Sequence, residues 1–109
     1  MLFIHQPLRN LRAREGDRVT LTVRIEGRPE PVVRWYREGC IIEHSPDYHI
    51  SQMDKDFTLV IAEVFPEDSG IFKCVATNAE GTTTTESRLE VERELPVFGV
   101  FIYFPCLIW

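Results

Sequence analysis

The stretch that most constrains this chain is Glu67-Asp68-Ser69-Gly70-Ile71-Phe72-Lys73-Cys74-Val75-Ala76-Thr77-Asn78. It reads as an acidic turn, then a strand in which Phe72, Cys74 and Ala76 alternate with Ile71, Lys73, Val75 and Thr77. A period of two puts the first set on one face, and an apolar face needs a cover. Trp35, 39 positions before Cys74, offers a large ring within a short strand pattern of its own. With the Asp-x-Gly-x-aromatic-x-Cys turn between them, the pair constrains the fold far more than either residue alone.

The rest of the chain repeats this alternation. Residues 1–6 read as an edge strand stopped by Pro7, which cannot donate to a ladder, and residues 8–14 can resume it. In residues 18–26, Val19, Leu21, Val23 and Ile25 share one face, as expected for a half-buried strand. Gly27-Arg28-Pro29-Glu30-Pro31 breaks the chain before the strand at 32–37, where Val33 and Trp35 point inward. Short strands follow at 40–42, 48–51 and 57–61, the last with Phe57, Leu59 and Ile61 inward. Residues 62–69 form a crossover with Val64 as a core plug. A turn at 78–81 precedes a final strand at 82–92, with Leu89 and Val91 inward. No window sustains a helical period. Short strands with turns every eight to twelve residues indicate an all-β sandwich or barrel, and short connections imply antiparallel pairing.

With 109 residues, one domain is expected, with a core that needs no metal or disulfide. A net charge of −5 argues against nucleic acid as a partner. The charge is uneven: residues 1–37 hold eight arginines against four carboxylates, whereas residues 38–109 hold four bases against thirteen. Protection of a sheet edge by Arg9, Arg12 and Arg14 accounts for part of this, and a bipolar surface is the sharper reading. Cys40, Cys74 and Cys106 are odd in number and fit no zinc spacing. The N-terminus is not a signal peptide and no Asn-x-Ser/Thr acceptor occurs. These absences favour a reducing, intracellular compartment, although a piece cut from a secreted parent would share them.

Taken in order, Glu15-Gly16, Val19-x-Leu21, Gly27-x-Pro29-x-Pro31, Trp35-Tyr36-x-x-Gly39, Thr58-Leu59-x-Ile61, Glu67-Asp68-Ser69-Gly70-x-Phe72-x-Cys74 and Ala76-x-Asn78-x-x-Gly81 resemble an intermediate-set (I-set) immunoglobulin domain. The flavour is that of intracellular muscle and cytoskeletal proteins such as titin, palladin, myopalladin and obscurin. The resemblance spans residues 3–92 and implies an immunoglobulin-like antiparallel β-sandwich over residues 1–93, with residues 94–109 outside the pattern. Its core signature falls on Val23, Trp35, Leu59, Asp68, Gly70, Phe72 and Cys74. Two positions depart from the family. Val23 stands where the first cysteine of the inter-sheet bridge would be, so Cys74 packs as a small hydrophobe and no disulfide is expected. Phe72 stands at the tyrosine-corner position, keeping the ring and losing its hydroxyl bond.

No catalytic constellation is visible, and neither a metal nor a cofactor is expected. Glu67 and Asp68 are turn-formers, and His5, His44 and His49 lie on edges and turns without ligand spacing. Asp54 and Asp56 flank a turn, and Ser45, Ser51 and Ser69 have no identifiable His/Asp partner. Arg34, Tyr36 and Arg37 fall on the outer face or edge of the sheet carrying Trp35; they form either a solvated surface or a protein-binding patch, since Tyr and Arg are enriched at interface hot spots. Cys40 is expected in a hairpin turn as the thiol that solvent can reach, and the run Thr82-Thr83-Thr84-Thr85 as plain exposed strand.

Residues 95–109 carry no charge and hold five of the twelve aromatics. As a helix they would span only about 22 Å, short of the roughly 30 Å hydrocarbon core, so membrane insertion is not expected. Self-association through 95–109 remains open. The resemblance implies a non-catalytic protein-interaction or structural module of a cytoskeletal or sarcomeric scaffold, cytoplasmic, with other proteins as partners. The competing readings are an extracellular adhesion or receptor domain, and a product held at a membrane by its tail.

Overall fold

The computed structural model describes residues 2–93, so the expectations placed on Cys106 and on residues 94–109 lie outside the described residues. Nine strands form two sheets: β1 (Leu2–Gln6), β2 (Leu11–Arg14), β3 (Val19–Gly27), β4 (Val32–Arg37), β5 (Cys40–Ile42), β6 (Tyr48–Met53), β7 (Asp56–Ile61), β8 (Gly70–Asn78) and β9 (Gly81–Glu92). One sheet has the order β1-β3-β7-β6 and the other β2-β9-β8-β4-β5. A 3-10 turn at Pro66–Asp68 carries the chain from the first sheet to the second.

Alternation in sequence becomes alternation in burial. Val19, Leu21, Val23 and Ile25 of β3, Phe57, Leu59 and Ile61 of β7, and Phe72, Cys74 and Ala76 of β8 are all buried in one core cluster with Trp35, Val64 and Leu89. Full burial of each large apolar side chain is worth about 1.5–3 kcal/mol, so this interior dominates the stability of the sandwich. Trp35 and Cys74 face each other across β4 and β8, each 1% exposed, and Val23 lies in the opposite sheet at 0%. The sheets are therefore joined here by packing, with Cys74 a free buried thiol.

Pairing is antiparallel throughout with one exception, which corrects the expectation from short connections. β2 runs parallel to β9, with Leu11 opposite Leu89 and Arg14 opposite Glu92. The N-terminal strand is split at Pro7: its first half pairs with β3, its second half crosses to the other sheet. Nearly the whole domain intervenes between β2 and β9, so loop length places no limit on their relative direction.

The crossing segment is anchored by a residue that the strand pattern underrated. Thr85 and Ser87 share the inward parity of Leu89 and are buried. The Leu8 backbone N–H donates to Thr85 Oγ1 at 3.1 Å, and the Arg88 N–H donates to Asn10 Oδ1 at 2.8 Å. Only Thr82 and Thr84 are thus exposed as expected of the whole threonine run, with Thr83 half-buried. Cys40 also departs from expectation: it begins β5 and is half-buried, rather than sitting in the hairpin turn. It pairs with Arg37 and so shares the inward parity of Trp35 and Ile42.

Thr85→Val keeps the shape of the side chain but leaves the buried Leu8 N–H without an acceptor. It is expected to lower the unfolding free energy by about 1–3 kcal/mol in a urea titration, with the slope of the transition unchanged.

Candidate protein-binding face

β4, β8 and β9 set the outer face of the five-stranded sheet. Paired residues in neighbouring strands project to the same side, so the registers place Ile41, Tyr36, Lys73 and Glu86 in one row and Arg34, Val75 and Thr84 in the next. Lys73 Nζ lies 5.4 Å from the centre of the Tyr36 ring, a cation–π contact worth about 0.5–1 kcal/mol at an exposed site. Val32 and Ile41 are more than half exposed, at 55% and 53%. Arg34 is exposed, and among the described residues it makes no ion pair. The face thus combines apolar surface with cationic and aromatic groups.

Arg37 does not join this face. It has the inward parity of Trp35, and from the end of β4 its Nη1 donates to the Glu67 carbonyl at 2.8 Å. Of the three residues expected to form a patch, the structure brings Arg34 and Tyr36 together and uses Arg37 as a clasp on the 3-10 turn. The Glu38-Gly39 hairpin explains the divergence. Both residues have positive φ, 50° and 83°, the geometry of a tight two-residue turn, so β4 ends at the edge of the sandwich.

The signature acid is structural. Asp68 Oδ2 accepts from the Phe65 N–H at 2.8 Å while the Asp68 N–H donates to Phe65 O, closing the turn on itself. Asp68 Oδ1 accepts from the Tyr48 hydroxyl at 2.7 Å, tying β6 to the crossover. Burial, then the hydrogen bond and charge of Asp68, push the Tyr48 phenol above its ordinary range. Phe72, at the tyrosine-corner position, is fully buried. Tyr48 thus supplies a hydroxyl contact to this corner from the other sheet, and sequence gave no local signal for it because the partners lie 20 positions apart on different elements.

Elsewhere the polar groups serve edges and turns. His5 Nε2 and Glu26 Oε1 are 2.8 Å apart, and Lys55 Nζ lies 3.2 Å from Glu26 Oε2. The His5 contact first, then Lys55, hold the Glu26 carboxyl below its ordinary value. Arg24 pairs with Asp56 beside the Asp54-Lys55 turn, and Arg12 pairs with Glu90 at the β2 edge. His44 Nδ1 accepts from the Ile50 N–H, and Ser45 Oγ from the Tyr48 N–H. Among the described residues no group of three or more His, Cys, Asp or Glu is placed to hold a metal ion.

The immunoglobulin I-set domain model matches residues 2–91 of the chain. Mouse myopalladin is 48% identical over 92 residues, covering 77% of this chain and 7% of its own length. Mouse palladin is 44% identical over 92 residues, again 77% of this chain and 6% of its own length. The chain therefore spans only a small fraction of these relatives. The structure of titin domains z1z2 in complex with telethonin superposes with a TM-score of 0.84 at 41% identity, covering 86% of this chain and 48% of that one.

Burial pushes the Cys74 thiol from about 9 up to about 12. The unfolded chain therefore releases this proton at lower pH than the folded one. The stability tied to the thiol is complete below about pH 9 and lost as pH rises towards 12, by up to about 1.4 kcal/mol per pH unit. Urea unfolding of the wild type and of Cys74→Ala at pH 7 and pH 10.5 is expected to show a smaller alkaline loss in the variant. Tyr48 adds the same loss to both proteins and cancels in the comparison.

Proposed function

Because the chain belongs to the immunoglobulin I-set family, we propose that residues 1–93 act as a non-catalytic protein-interaction module of a cytoskeletal or sarcomeric scaffold. The observation that carries this reading is the likeness to titin z1z2, a pair of domains solved with a protein bound, telethonin. The likeness to myopalladin and palladin, 48% and 44% identical, supports the same reading. Residues 94–109 lie outside the module. The location that goes with this reading is cytoplasmic and cytoskeleton-associated, and the partners are proteins rather than nucleic acid or lipid.

The binding surface is the outer face around Arg34 and Tyr36 together with the neighbouring sheet edge. Side chains on the face and main-chain groups on the edge are the two means by which a sandwich engages another protein. Val23, Trp35, Leu59, Phe72 and Cys74 hold the scaffold rigid behind that surface, and Asp68 and Gly70 shape the turn that ends it.

Fusing the full chain to a biotin ligase in cultured muscle cells tests the reading. Labelling is expected to enrich sarcomeric and actin-associated proteins over a ligase-only control. Enrichment confined to secretory or cell-surface proteins would overturn it.

A further inference from the structure

The hydrogen-bond register of β4 leaves one position of its free edge open. The Glu38 N–H donates to the Ile71 carbonyl of β8 at 2.9 Å, which sets the parity of the β4–β8 ladder. Tyr36, Arg34 and Val32 therefore direct their main-chain groups to β8, and Arg37, Trp35 and Val33 direct theirs to the opposite edge. On that edge β5 meets Arg37 with Cys40 and Trp35 with Ile42, and then ends. The N–H and C=O of Val33 face outward with no strand beside them among the described residues.

Two further features surround this gap. Inward of it, Val33, Trp35, Ile50 and Phe57 line an open cleft of about 300 Å3 between the β4 and β6 edges. Outward of it, Arg34 stands exposed with no ion pair among the described residues, and β5 stops one residue before the position that would face it. The β6 edge across the cleft differs. His44 and Ser45 occupy the main-chain donors of Ile50 and Tyr48, which blocks strand addition there.

We propose that the β4 edge at Val33 receives an extended acidic–apolar segment of another protein, which continues the line of β5 by main-chain pairing. Resting on the protein-interaction reading above, this names the site and the chemistry of its occupant. The register dictates the pattern. A residue opposite Val33 points inward, and its apolar side chain enters the cleft. The neighbouring residue faces Arg34 on the outside, where a carboxylate completes the missing pair. Pro31 has no N–H, so the pairing is limited to a short segment.

The probes are two capped heptapeptides with central sequences Glu-Val-Glu and Lys-Val-Lys, titrated into the isotope-labelled full chain by NMR. The acidic peptide is expected to shift the Val33 and Ile50 resonances and to bind at least about fivefold tighter than the basic one. Arg34→Glu, a substitution on the solvent face, is expected to invert that preference. Val33→Pro, which removes the edge donor, is expected to abolish the shifts, with the retained spectrum of the core reporting that it folds. Shifts at another edge, no shift at Val33 because the chain itself covers it, or a preference unchanged by Arg34→Glu would each overturn the proposal. None of these outcomes bears on the labelling pattern in muscle cells, so the broader reading stands or falls separately.

Discussion

The rest of the structure depends on the seam where Trp35 and Cys74 lie side by side in one sheet and pack towards Val23 in the other. Two sheets, each apolar on one face, are stable in water only when those faces bury each other. Many extracellular relatives of this architecture add a covalent tie at this point, typically worth about 2–4 kcal/mol. Here a valine and a thiol occupy the two ends, and the seam is held by close packing alone. The strands that carry it are β3, β4 and β8.

Everything peripheral is fastened to that seam by polar contacts of longer range. Tyr48 and Arg37 reach the 3-10 turn from opposite sheets, through the Asp68 carboxylate and the Glu67 carbonyl. Thr85 holds the segment that moves the N-terminal strand from one sheet to the other. The edges then differ in how far their main-chain groups are occupied. Side chains cap β6, an ion pair flanks β2, and among the described residues the β4 edge is left open over one position, next to a cation with no ion pair. A rigid interior with an open edge position suits a module that is engaged from the side without changing shape.

How much of this was legible in the sequence follows from the range of each interaction. The strands and inward residues were readable because a period of two is a local property, and Val23, Trp35, Leu59, Phe72 and Cys74 all lie where alternation puts them. The likeness of the Glu67 to Cys74 stretch to a known domain was carried by spacing within a dozen residues. What stayed hidden was non-local or broke the pattern. The parallel β2–β9 pair joins the two ends of the domain, and Tyr48 meets Asp68 across the sandwich. Thr85 was misjudged because a hydroxyl on the inward face looks like exposed strand until its partner, the Leu8 N–H, is known. Arg37 is adjacent to Tyr36 in sequence, yet it has the opposite parity and ends at the corner.

Native-state amide hydrogen exchange tests most directly the claim that one non-covalent seam holds both sheets as a single unit. The slowest amides of β3 and β7 in one sheet, and of β4 and β8 in the other, are expected to share one opening free energy equal to that of global unfolding. Exchange of the β3–β7 amides through a cheaper, separate opening, while β4 and β8 stay protected, would contradict it.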